Sequence, residues 1–133
     1  MSLMWTSRLS RTASAGAEVF TLAANWPETR KAHWRALLVA RAIENQAYVV
    51  AVNRVGADPS LRYAGGSMIV APTGEILDEA GESPQVLTAA LDLDAMRSWR
   101  AEFPMLRDVR PELLGSMIID KSIRHQVARQ PAS

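Results

Sequence analysis

Arg41, Glu44 and Asn45 fall within about one helical turn in the stretch RAIENQ. Arg41 and Glu44 are three residues apart, so on a helix they are neighbours that can form an ion pair. Buried, such a pair fixes the geometry of adjoining loops rather than doing chemistry. Asn45 carries both donors and an acceptor; it is read as capping backbone groups or bridging toward Asn53. Nucleophiles are scarce. The chain has no cysteine, which removes disulfides, thiolate metal sites and thiol catalysis by these residues. Two histidines, His33 and His125, are too few for a multi-histidine metal centre. Ser67 ends the stretch YAGGS, but no histidine stands where it could act as its base. Tyr63 and Ser67 instead flank an Ala-Gly-Gly run whose small residues allow two backbones to approach closely. Arg41, Glu44, Asn45, Asn53, Tyr63 and Ser67 are therefore assigned structural support. No catalytic residue, metal ligand or cofactor motif is assigned.

The elements that must position these residues follow from local pattern. Residues 5–15 read as a short helix ending at Gly16. AEVFTLAA is an apolar run of strand length. Asn25-Trp26-Pro27 stops it, because proline cannot donate to a central ladder. Asn25 reads as a capping residue and Trp26 as a core aromatic. Pro27 suits the first turn of a helix over 28–46, with Trp34, Leu37, Leu38 and Ala42 on its buried face. AYVVAVNRV is a strand, and GADPSLRYAGG a loop. SMIVA and EILDEA flank Pro-Thr-Gly as a hairpin. QVLTAALDL reads as a further strand. DAMRSWRAEF is a helix capped by Asp94 and stopped before Pro104. PMLRDVRPEL is extended, and residues 115–129 form a last amphipathic helix with Ile119, Ile123 and Val127 on one face. The order places helices on one face of a sheet in a single α/β domain.

Bulk properties narrow the function. A net charge of +1 gives no electrostatic footprint for nucleic acid or an anionic membrane. No apolar run approaches the ~20 residues that span a bilayer. The first sixteen residues are rich in Ser and Arg but lack the apolar core of a secretory signal. The expected compartment is the cytoplasm.

The linked set NWP, HW, RAIEN, VNRVG, YAGGS and PTGE resembles the carbon–nitrogen hydrolase (nitrilase) superfamily, its omega-amidase-like branch above all. The likeness runs from about residue 16 to 114, with 115–133 a helical tail. It implies the C-terminal half of a four-layer α-β-β-α sandwich: a mixed sheet with helices on its outer face. It implies amidase chemistry on small amides, omega-amides or nitriles, without a cofactor. In the family a cysteine attacks the carbon, a glutamate moves the proton and a lysine stabilises the oxyanion. The resemblance places all three before Met1. It also places Asn25 and Trp26 on the wall of the substrate pocket, and makes Arg41, Glu44 and Asn45 a brace for that wall. Two classes follow: part of an amidase, inactive as this chain, or a truncated non-catalytic module. If only this half is made, one sheet face lacks its cover. Tyr48, Val50 and Val52, or Met68 and Val70, would face water, so a homodimer or higher homo-oligomer is expected.

Overall fold

The computed structural model describes the backbone of residues 4–110 and the side chains of residues 9–110. The expected last helix over 115–129 and the tail to 133 lie outside the described residues. Helix α1 (Met4–Ser14) leads through Gly16 into strand β1 (Val19–Ala24). Pro27 ends β1 and opens a 3-10 turn over Glu28–Arg30, which runs into α2 (Lys31–Asn45). Trp34, Leu38, Ala42 and Asn45 of α2 are buried, a stripe stepping by about one turn. Leu37, assigned to that stripe from its spacing, is exposed instead. Gln46 closes α2 in the left-handed region (φ 46°), where its N–H returns to Ile43 O at 3.1 Å. Glycine usually holds that position.

The helix carries the chain back, so β2 (Tyr48–Asn53) lies parallel to β1, with Val19 beside Tyr48 and Ala24 beside Asn53. Strands β5 (Met68–Val70) and β6 (Ile76–Glu79) add antiparallel to give the order β1-β2-β5-β6. Pro72-Thr73-Gly74 turns between β5 and β6 as expected. Gly74 has φ 90°, and a Cβ there would fall 2.7 Å from Ile43 Cδ1, so the turn rests directly on α2.

Four expectations are corrected here. The stretch read as a loop over 56–66 holds a two-stranded ribbon, β3 (Val55–Ala57) and β4 (Arg62–Ala64). Its tight end is an Asx turn: Asp58 Oδ1 accepts from the N–H of Ser60 and of Leu61 at 2.8 and 2.9 Å. The stretch read as a strand over 85–93 forms no ladder. Its odd residues from 87 to 91 are partly buried and its even ones exposed, so the period of two is present. Its contact to β6 runs through a side chain, Thr88 N to Asp78 Oδ2 at 3.0 Å, rather than backbone to backbone. Helix α3 (Leu93–Glu102) is capped by Asp92, whose Oδ1 accepts from Ala95 N at 2.8 Å. Asp94 lies inside the first turn, paired with Arg97. A second 3-10 turn, Met105–Asp108, interrupts the segment read as extended.

Both sheet faces carry apolar residues. Phe20, Val49, Ala51, Met68 and Val70 pack with Trp34, Leu38 and Ala42 of α2 and Ala13 of α1. Fully burying the Val, Leu, Phe and Met side chains among them stabilises by about 1.5–3 kcal/mol each. On the opposite face Tyr48 and Ala71 pack under Met96 of α3. Met68, Val70 and Tyr48 are thus covered, against expectation, and Val50 is half-buried. What stays open is the end of that face near the C-termini of β1 and β2: Thr21, Ala23 and Val52, the last 59% exposed. Among the described residues no helix is long and apolar enough to cross a membrane.

Candidate functional site

Parallel strands present their C-terminal ends together, and loops leaving those ends form a crevice. Here β1 delivers Asn25 and Trp26, and β2 delivers Asn53. The Asn53 side chain joins the two. Its Oδ1 accepts from Trp26 N at 2.7 Å, and its Nδ2 donates to Trp26 O at 3.2 Å and Gly65 O at 2.7 Å. Ser67 completes the knot: its Oγ accepts from Asn53 N at 3.0 Å and donates to Asn53 O at 3.4 Å. One buried asparagine therefore sets the relative position of the NWP loop and the Gly65-Gly66 run. Gly65 has φ 61°, and a Cβ there would meet Gly81 O at 2.5 Å, so no larger residue fits.

Two indoles make the wall. The Trp26 and Trp34 rings lie 5.6 Å apart, tilted by 40°. Trp34 Nε1 donates to Gly66 O at 2.7 Å in a buried bond. Trp26 Nε1 donates to Arg30 O at 2.7 Å, and the Arg30 guanidinium stands 5.3 Å from the centre of the same ring. Trp26, Trp34, Pro27, Lys31, Asn53, Ala64 and Gly65 line a shallow crevice that does not enclose even one water molecule. Its rim is charged, with Lys31 paired to Glu82 and Arg62 to Glu28, each at 3.1 Å. Asn25 is exposed and does not line the crevice.

The β3–β4 ribbon beside the crevice carries a compact polar group. Tyr63 OH donates to Asp58 Oδ2 at 2.5 Å, and the Arg54 guanidinium stacks 4.7 Å from the Tyr63 ring centre. The Tyr63 hydroxyl holds the Asp58 carboxyl below its ordinary range, helped by the N–H groups of Ser60 and Leu61. The same bond pushes the Tyr63 phenol up.

The polar cluster at the end of α2 is placed differently from its assignment. Arg41 Nη1 meets Glu44 Oε1 at 2.6 Å, so the pair forms. Among the described residues it does not reach backbone in the NWP or YAGGS segments; Asn45 Nδ2 joins it, bonding Arg41 O at 2.8 Å. Asn45 does not bridge to Asn53. At about 1.5 Å per residue it lies roughly 16 Å along α2 from Trp34. Glu44 is 38% and Arg41 18% exposed, so the pair is half in solvent. A residue that drew no attention in the sequence holds this end. Arg100 Nε donates to Gln46 O at 2.9 Å, and its Nη2 donates to Ala17 O at 2.8 Å and Asn45 O at 3.3 Å, capping α2 from α3. Burial pulls its pKa down. Its only sequence signal is a basic residue in the last turn of α3. Asp58 was also passed over, although Asp-Pro-Ser is a turn signal.

Chemically, the crevice offers aromatic walls; the backbone groups of Trp26, Gly65 and Gly66 beside them are engaged within the fold. Ser67 Oγ is committed to the Asn53 backbone, and among the described residues no group of three His, Cys, Asp or Glu side chains could hold a metal. This arrangement can hold one side of a small molecule. The chain is 41% identical to a 2-oxoglutaramate amidase of Bacillus subtilis over 98 residues, which are 74% of this chain and 38% of that protein. It is 47% identical to the omega-amidase YafV of Escherichia coli K12 over 87 residues, 64% of this chain and 34% of that one. A solved structure of the amidase from Nesterenkonia sp. AN1 carries the acetamide moiety of fluoroacetamide on its active site cysteine. It overlays with a TM-score of 0.61 at 30% identity, covering 79% of this chain and 36% of its own. The chain spans little more than a third of the length of the proteins it matches. The family signature of carbon-nitrogen hydrolases covers residues 4–101, beginning and ending earlier than the 16–114 read from the sequence, and on that match the chain belongs to the carbon-nitrogen hydrolase family.

Proposed function

We propose that these 133 residues form one wall of the substrate pocket of an amidase that cleaves small amides, omega-amides among them, and do not cleave them alone. The observation that carries this reading is the pair of indoles, Trp26 locked to Asn53 beyond the end of β1 and Trp34 on α2, with no paired nucleophile and base beside it among the described residues. Amide hydrolysis by thiol attack needs a cysteine and a base for its proton. The chain has no cysteine, so in this reading the thiol, with its glutamate and lysine, comes from polypeptide outside these residues. The likeness to proteins named 2-oxoglutaramate amidase and omega-amidase supports the substrate class. We place the enzyme in the cytoplasm, acting without cofactor, nucleic acid or membrane.

The alternative, a non-catalytic module, is separated by complementation. The chain alone is expected to give no turnover of succinamate above background. Co-expressed with the cysteine-bearing portion of a relative, it should restore turnover that is lost when that cysteine becomes serine. Folded complexes without turnover would favour the module. Turnover by the chain alone, surviving Ser67→Ala, would overturn the reading.

A further inference from the structure

An omega-amide has two polar ends: the amide that is cut, and a carboxylate at the far end of a short aliphatic spacer. Moving that carboxylate from water to an apolar wall is costly unless a cation meets it. The crevice wall is largely apolar, built from two indoles with Pro27 and Ala64. Four cationic side chains stand at the crevice or on the ribbon beside it. The Arg30 guanidinium lies on the Trp26 ring, that of Arg54 on the Tyr63 ring, and Arg62 is paired with Glu28. None of these three lines the crevice, whereas Lys31 does. Lys31 opens α2 three residues before Trp34, so the two share a helix face. Its present partner is replaceable. Lys31 Nζ meets Glu82 Oε1 at 3.1 Å with the two side chains 48% and 60% exposed, and Glu82 is not in the lining. A pair so solvated is weak, and another carboxylate can take the place of Glu82 at little cost. Glu28, the acidic side chain of the lining, already has its counterion in Arg62 at 3.1 Å.

We propose that Lys31 is the carboxylate anchor of this crevice. Its ammonium receives the far carboxylate of an omega-amide in exchange for Glu82, and the aliphatic spacer lies along Trp26 and Trp34. The amide end then projects away from Lys31, toward the polypeptide that carries the thiol. The inference rests on the amidase reading for the identity of the ligand. It makes Lys31 a specificity-determining residue, which separates amides that carry a carboxylate from amides that do not and takes no part in bond cleavage.

Titration of the chain with succinamate and with neutral succinamide, at matched ionic strength, tests the anchor without needing turnover; the indole N–H signals of Trp26 and Trp34 report binding. The wild-type chain is expected to bind succinamate about 3–5-fold more tightly than succinamide, the return from one solvated ion pair. Lys31→Met keeps most of the apolar stem and should bring that ratio to about one, while Lys31→Arg keeps the charge and should preserve it. Glu82→Gln removes the competing carboxylate and should tighten succinamate binding about twofold, leaving succinamide unmoved. Equal binding of the two ligands by the wild-type chain, a preference that survives Lys31→Met, or no shift with either ligand would overturn the anchor. The complementation assay reports on the amidase reading separately. Restored turnover beside a preference indifferent to Lys31 would sink the anchor alone. A Lys31-dependent preference without restored turnover would uphold a carboxylate site and remove its place in an amidase.

Discussion

Asn53 does more for the site than the charged trio that first drew attention. It satisfies three backbone groups of two loops with one short side chain. Asn53→Ala leaves those groups without it and should cost about 2–4 kcal/mol, read as a drop in thermal midpoint. Glu44→Gln should cost only about 0–1 kcal/mol, because its ion pair is half solvated. Reversed magnitudes would show that the cluster, not Asn53, braces the wall. Asp58 gives a pH signature. Its folded pKa lies below its unfolded one, so it stabilises fully above the ordinary carboxylate value and loses that contribution as pH falls through the folded pKa. Acid titration should loosen the β3–β4 ribbon, and Tyr63→Phe should move that loss to higher pH, followed by NMR of the Ser60 and Leu61 amides. The sequence offered the identity of these residues but not their partners. Arg41, Glu44 and Asn45 are adjacent along one helix and so were visible together, whereas Asn53 meets Trp26 across 27 positions.

Among the elements, those with strong local rules were legible. β1, α2, β2 and the β5–β6 hairpin stand where periodicity, proline and the Pro-Thr-Gly turn put them. Two failures have one cause: apolar alternation reports burial, not backbone pairing. Residues 86–91 alternate without a ladder, and the β3–β4 ribbon pairs without alternation because its end is set by the Asp58 turn. The cap of α3 was misplaced by two residues, since Asp92 and Asp94 both precede the apolar stripe. Asp92→Ala should therefore lower stability by about 1 kcal/mol while Asp94→Ala stays within about half that, measured by urea unfolding. Gly65→Ala should be severe, on the order of several kcal/mol, because its Cβ would press on a backbone carbonyl rather than a movable side chain.

At the scale of the whole molecule, the family and the α/β layer were readable because linked short motifs survive in the sequence. The open ground was not. Which strand residues face water depends on where α3 comes to rest, and α3 covers Tyr48 while leaving Val52 bare. A crevice that encloses no volume of its own also limits what isolated binding can achieve. Succinamate titrated into the chain alone should show a Kd no tighter than about 1 mM, about −4 kcal/mol, by line-shift titration of the indole N–H signals. Tight binding would mean that the crevice is a finished pocket.

The indole pair has an optical consequence. Two tryptophans 5.6 Å apart at a fixed tilt couple their electronic transitions, giving a paired band in far-ultraviolet circular dichroism. The cation over Trp26 adds a local electric field that shifts its fluorescence relative to the buried Trp34. The wall therefore carries its own reporter. Anything that closes over the crevice or pulls the NWP loop off Asn53 should change the coupling before the rest of the fold responds, so engagement of a covering partner is readable without a label.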